Sequence, residues 1–183
     1  DVCSSDLSAV TVNPIPAAIS GPSTVCEQST ITLTGPGSGT WSSSDLTADV
    51  TLTTGIVSGM SAGTATITFT APTTCFTTTS VEVLVTPEDI TGIDEVCVGF
   101  TSTMSDITVG GVWTSSILAA ATVGTGTGIV TGITGGTSTI SYTLSNGCYS
   151  TIDMVVNPSA APITGGSDVC LGTILFLHDT DGG

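Results

Sequence analysis

"GIVSGMSAGTATITFT" occupies residues 55–70, and "GIVTGITGGTSTISYT" occupies residues 128–143, 73 residues further on (128 − 55). A catalytic loop is normally needed once, whereas a phrase returning at a fixed period is usually a building unit. The second half of each phrase alternates strictly. Ala65, Ile67 and Phe69 fall on one face of "TATITFT" and threonines on the other, while "TSTISYT" places Ile140 and Tyr142 likewise. That two-residue period predicts half-buried β-strands.

The period extends over the chain. Trp41 recurs as Trp113, 72 residues on. Cys26 recurs as Cys97 and Cys170, and Cys3, Cys75 and Cys148 form a second series. "VNP" at 12–14 returns as "VTP" at 85–87 and "VNP" at 156–158. The spacing predicts the tail of one repeat (1–14), two full repeats (15–87 and 88–158) and the head of another (159–183), a window on a longer array.

"VEVLV" (81–85) is expected to bury Val81, Val83 and Val85, "IDMVV" (152–156) to place Asp153 outward, and "TITLT" (30–34) to bury Ile31 and Leu33. Short strands between Gly, Pro and Ser turns predict an all-β chain, a small β-sandwich per repeat of about 72 residues.

Composition excludes several functions. The chain has no Lys or Arg against 15 Asp and Glu, a formal net charge of −15. It therefore lacks the fixed cations that bind a nucleic-acid backbone or cradle a phosphate. A Lys–Asn isopeptide staple is chemically closed to it, and trypsin has no site. With 39% hydrophobic and 8% charged residues it is unlike a disordered chain. No apolar run of 18 residues is present, so no membrane span is expected. Asn13 and Asn157 precede proline and Asn146 precedes Gly-Cys, leaving no N-glycosylation acceptor. Six regularly placed cysteines predict an oxidising compartment.

The stretch "GTWSSSDLTADVTLTTGIVSGMSAGTATITFT" (39–70) resembles bacterial immunoglobulin-like domains of the group-2 type, with their W-S-S-S, G-x-V-x-G and G-T-A-x-I sequence. The added "VC" before the second strand and "C" after the penultimate one resemble tandem repeats of very large secreted surface proteins of Bacteroidota, including gliding adhesins. The second repeat departs at "VWTSSILAAATV" (112–123), where Ile117 replaces Asp45. The resemblance implies tandem immunoglobulin-like sandwiches in an extracellular, non-enzymatic filament or cell-surface stalk. Neighbouring copies or repeats are the implied partners. A surface polysaccharide is the partner of the alternative, a carbohydrate- or surface-binding module. A passive spacer beside a distant enzyme domain is the third reading.

A site that each module uses should recur in each module. Trp41 and Trp113 recur, and a Trp on the third strand of such a sandwich is usually core rather than a sugar platform. His178 stands where the earlier repeats have Thr34 and Ser105, so it predicts no shared metal or acid–base role. "DTDGG" (179–183) matches only half of a calcium loop. Glu88, Asp89, Asp94 and Glu95 match Ile15, Pro16, Ser23 and Thr24 at the preceding linker, which makes them solvated charge. "GTGTG" (124–128) lies between β segments and reads as a turn. No catalytic residue, cofactor site or specific metal site is expected; loosely held divalent cations along an acidic fibre are the one cofactor the charge allows.

The cysteines leave three pairings open. They can join within a repeat (Cys26–Cys75, Cys97–Cys148), across a linker (Cys3–Cys26, Cys75–Cys97, Cys148–Cys170) or head to tail between neighbours (Cys26–Cys148). In an immunoglobulin sandwich the two series sit at opposite poles. The last strand, Cys75 to Pro87, spans up to ~40 Å at ~3.3 Å per residue, against about 6 Å between disulfide Cα atoms. That favours the head-to-tail bond, with the pairing inside a repeat next.

Overall fold

The computed structural model describes residues 11–178, whose contacts divide into two compact units that part between Thr86 and Pro87. The first unit holds β1 (Thr24–Cys26), β2 (Thr30–Thr32), β3 (Thr40–Ser43), β4 (Ala48–Val50), β5 (Ile56–Gly59), β6 (Gly63–Thr70) and β7 (Phe76–Leu84). They form a four-stranded sheet β1-β7-β6-β3 and a three-stranded sheet β2-β5-β4. The second unit holds β8 (Glu95–Cys97), β9 (Thr101–Thr103), β10 (Val112–Ser115), β11 (Ala121–Val123), β12 (Ile129–Gly132), β13 (Gly136–Thr143) and β14 (Tyr149–Asn157). Its sheets are β8-β14-β13-β10 and β9-β12-β11, the same order.

In each unit the two sheets close on one core. Val25, Trp41, Ala65, Ile67, Phe69, Val81 and Val83 face Leu33, Ala48 and Val57 in the first. Trp113, Ile140, Tyr142, Met154 and Val156 face Met104, Ala121 and Val130 in the second. The chain is therefore a tandem of immunoglobulin-like β-sandwiches. Alternation in β6 and β13 does what the pattern predicts: threonines face out and every second residue packs inward. Val85 differs from expectation. It is 45% exposed, because β7 ends at Leu84 and the pleat that set the alternation ends with it. Ile31 is only partly buried, at the margin of its core.

The glycines of the repeated phrase have separate tasks. Gly55 and Gly128 are left-handed (φ 70° and 68°), and a Cβ there would meet the Leu33 or Met104 carbonyl oxygen at 2.5 or 2.4 Å. The indole of Trp41 or Trp113 lies on the same side. Gly59 and Gly132 allow close approach: a Cβ would stand 2.5 and 2.7 Å from the Cys26 and Cys97 carbonyl oxygens. Alanine at Gly55 or Gly128 should cost about 1–3 kcal/mol through backbone strain. Gly126→Ala, with nothing within 4 Å of the added carbon, should be near neutral. Denaturant midpoints at constant slope check both.

The serines after each tryptophan fasten the sheet. Ser44 Oγ accepts the Thr66 N–H at 3.0 Å, and Ser116 Oγ accepts that of Thr139 at 2.9 Å. In the first unit Asp45 then closes the turn, accepting from Thr47 N–H and Ser44 Oγ, both at 2.8 Å. The Thr47 backbone N–H, and next the Ser44 hydroxyl, hold the Asp45 carboxyl below its ordinary range. Ile117 cannot do this. In the second unit buried Ser138, at the position of Ala65, accepts the Ile117 N–H at 2.9 Å and hydrogen-bonds Ser115 Oγ at 2.8 Å. The substitution that breaks the sequence pattern is thus matched by a second one across the strand pair.

Residues 159–178 form no named strand, yet they begin the same way. Thr164 and His178 exchange backbone hydrogen bonds as Ser20 and Thr34 do, and as Thr91 and Ser105 do. Ile163 and Leu177 are 67% and 62% exposed, whereas their counterparts Ile90 and Met104 are buried.

Candidate functional site: two cysteine turns at opposite ends of each module

Both cysteine series sit in turns whose geometry recurs. The Cys26 carbonyl accepts the Ser29 N–H at 3.1 Å; those of Cys97 and Cys170 accept Phe100 and Thr173 N–H at 3.0 Å. Two residues after each cysteine the backbone is left-handed, at Gln28 (φ 61°), Gly99 (84°) and Gly172 (87°). Here the chain changes sheets, since Glu27 and Val98 bridge in parallel to Gly59 and Gly132. The second series sits in the turns of the β6–β7 and β13–β14 hairpins. Cys75 comes after left-handed Thr74 (φ 67°) and Cys148 after Gly147 (φ 90°), and their carbonyls accept the Ala71 and Leu144 N–H at 2.9 Å.

Sheet register separates the two turns of one module. β1 runs parallel to β7 with Cys26 opposite Leu84, whereas Cys75 precedes Phe76 at the other end of that strand. From Phe76 to Leu84 the strand covers about 26 Å at ~3.3 Å per residue, far beyond the ~6 Å of a disulfide. Cys97, opposite Asn157, and Cys148, before Tyr149, repeat this. Cys26 and Cys148 are each disulfide-bonded, while Cys75, Cys97 and Cys170 are free thiols. The pairings Cys26–Cys75, Cys97–Cys148, Cys75–Cys97 and Cys148–Cys170 are therefore not made. The Cys75 thiol instead donates to the Asn13 carbonyl at 3.8 Å, within the segment that leads into the module. Cys3 and "DTDGG" lie outside the described residues.

The remaining candidates are placed as follows. Trp41 and Trp113 are each 5% exposed; Trp41 meets Phe69 edge-on at 5.0 Å between centroids, and Trp113 meets Tyr142 at 4.7 Å. Neither indole offers a face to a sugar. The Tyr142 hydroxyl bridges the Thr108 carbonyl and the Gly111 N–H, both at 2.8 Å. "GTGTG" is the turn between β11 and β12, with Thr127 and Gly128 N–H both donating to the Gly124 carbonyl. Glu88 uses its backbone N–H on Thr108 Oγ1, and Glu95 accepts from Asn157 Nδ2 at 3.4 Å. Among the described residues no group of three or more His, Cys, Asp or Glu could hold a metal ion. No helix among them is long and apolar enough to cross a membrane.

Two features escaped sequence reading. An open groove of about 640 Å³ runs along β8 and β9, lined by Ile93, Val96, Cys97 and Phe100. Phe100 is 69% exposed there, but Ser29 holds its position in the first module, so the aromatic wall does not recur. The other is Glu27, whose carboxylate accepts Ala62 N–H (2.7 Å) and Thr86 N–H (3.2 Å) and so fixes where the chain leaves the first sandwich. Val98 at the matching position cannot, so no repeat signal pointed to it.

No protein-family model matches this sequence, and no curated protein matches it significantly. Among solved structures, it is similar to the C-terminal 282-residue fragment of intimin, determined with the intimin-binding domain of the translocated intimin receptor. That similarity has 19% identity and a TM-score of 0.46, over 83% of this chain and 67% of that one. Domains 4 and 5 of the surface-layer protein SbsC give 20% identity and a TM-score of 0.35, over 80% of this chain and 100% of that one. The chain spans 25% of the longer SbsC structure of domains 1–6. Drosophila N-cadherin EC1–3 gives 10% identity and a TM-score of 0.33, over 80% and 68%. These are similarities of fold alone.

Proposed function

We propose that this chain is a segment of an extracellular structural or adhesive array, of the kind found in large secreted surface proteins of Bacteroidota. Its modules, 15–87 and 88–158, are stapled head to tail by a Cys26–Cys148 disulfide. The observation that carries this is the cysteine state: Cys26 and Cys148 are oxidised, and the partner each would have inside its own module is a free thiol. A bond between the two oxidised positions leaves neither without a partner. Oxidised cysteines also favour an oxidising, extracellular setting. The absence of Lys and Arg removes trypsin-type cleavage, and prolines at the joints stiffen them. Exposed Thr and Ser on the outer face of β6 and β7 offer neighbouring copies a polar packing surface.

Cleavage of the unreduced chain after Asp and Glu puts every cysteine on its own peptide: 2–6, 7–27, 50–82, 96–106, 107–153 and 169–179. Mass spectrometry should find 7–27 joined to 107–153. Recovery of 7–27 joined to 50–82, or of 107–153 carrying an alkylated thiol, would refute the staple.

A further inference from the structure

We infer that the staple is one rung of an interleaved disulfide ladder, which carries tension along the array through the last strand of a module and bypasses the rest of its fold. This rests on the head-to-tail pairing proposed above. Cys97 and Cys170 occupy the same turn as oxidised Cys26, with the same carbonyl hydrogen bond and left-handed residue. Cys75 occupies the hairpin turn of oxidised Cys148. What distinguishes the free positions is the partner they need: Cys97 and Cys170 require a hairpin cysteine of a following module, and Cys75 requires a β1-type cysteine of a preceding one. Each such bond oxidises two thiols to one disulfide, releasing two protons and passing two electrons to a disulfide-bearing thiol oxidoreductase as oxidant.

The spacing then sets the load path. A staple leaps 122 residues (148 − 26), and only 22 residues of backbone (170 − 148) lead from its far end to the next β1-type cysteine. A second path runs beside the first, from Cys75 through 22 residues to Cys97. Every two repeats, 144 residues of chain (170 − 26), are therefore bypassed by a covalent route of 22 residues plus one disulfide. Fully drawn out at ~3.6 Å per residue, that route reaches about 80 Å, against about 520 Å for the whole chain. Part of the short route is already extended: nine of its 22 residues are strand β14. Unfolding a module under load thus cannot lengthen the array beyond what this short route allows, so the ladder limits stretch even when sandwiches open.

The full-length array, isolated without reductant, tests this. Alkylation followed by the Asp/Glu digest should find 50–82 and 96–106 joined to peptides of neighbouring repeats. A single array drawn out from both ends should reach a length per pair of repeats about sixfold greater in reductant than without it. Alkylated Cys75 and Cys97 beside an intact 7–27/107–153 pair would overturn the ladder and leave the single staple standing. Loss of the 7–27/107–153 pair would overturn the staple itself. Module-sized extension steps without reductant would also overturn the ladder.

Discussion

Trp41→Ala should abolish the cooperative unfolding of the first module while leaving that of the second in place, and Trp113→Ala should do the reverse. Each indole is the largest group in its core and is 5% exposed. Each also packs on the aromatic ring of the adjoining strand, Phe69 or Tyr142. Truncating a buried tryptophan to alanine costs about 3–5 kcal/mol, from lost burial plus the cavity left behind. A sandwich of roughly 70 residues has little more than that in total, since small domains bury a modest share of their surface. The loss should be sharpened by Gly55 and Gly128, whose left-handed turns lie on the indoles and lose their support. The chain provides its own readout: with one tryptophan per module, each variant retains the fluorescence of the intact unit. Urea titration of Trp41→Ala should show an unchanged Trp113 transition, with β-sheet circular dichroism reduced at zero denaturant. A change below about 1 kcal/mol in the mutated module would mean the indole is not part of its core.

What the sequence made legible follows from where periodicity constrains chemistry. Strands β6 and β13 were readable because a long hairpin strand with one face in the core must alternate, and their threonines and apolar residues do. The repeat frame located tryptophans, glycines and cysteines because those positions recur. Features found once were hidden. Glu27 fixing Thr86, and Ser138 holding the Ile117 turn that lacks an Asp45, depend on contacts 59 residues apart in one case and 21 in the other. A comparison of the two repeats scores both as noise. Val85 failed differently: alternation extended past the end of the sheet predicts burial where no sheet remains. The poles of the cysteines were inferable from topology, and with them a preference for the head-to-tail bond, but three pairings stayed open, since pairing depends on what stands opposite each turn rather than on the turn.

The isolated chain should lose the same disulfide contribution from Cys26→Ser, from Cys148→Ser and from the two together. A single bond can be broken only once, so the double variant adds no second disulfide loss to either single one, a complete failure of additivity for that contribution. Closing a loop across 122 residues is worth up to about 5 kcal/mol by chain entropy, and removal of native disulfides typically costs about 2–5 kcal/mol. Cys148 is fully buried, so its serine carries a separate burial penalty, whereas Cys26 is half-buried. Any excess of Cys148→Ser over Cys26→Ser should therefore persist in reductant, where the disulfide contribution is gone from every variant. Cys75→Ser and Cys97→Ser, at free thiols, should be near neutral in the same chain. Thermal melts with and without reductant read all five variants. Two independent losses that sum in the double variant would mean that Cys26 and Cys148 stabilise the fold separately, and the head-to-tail staple would fall with that result.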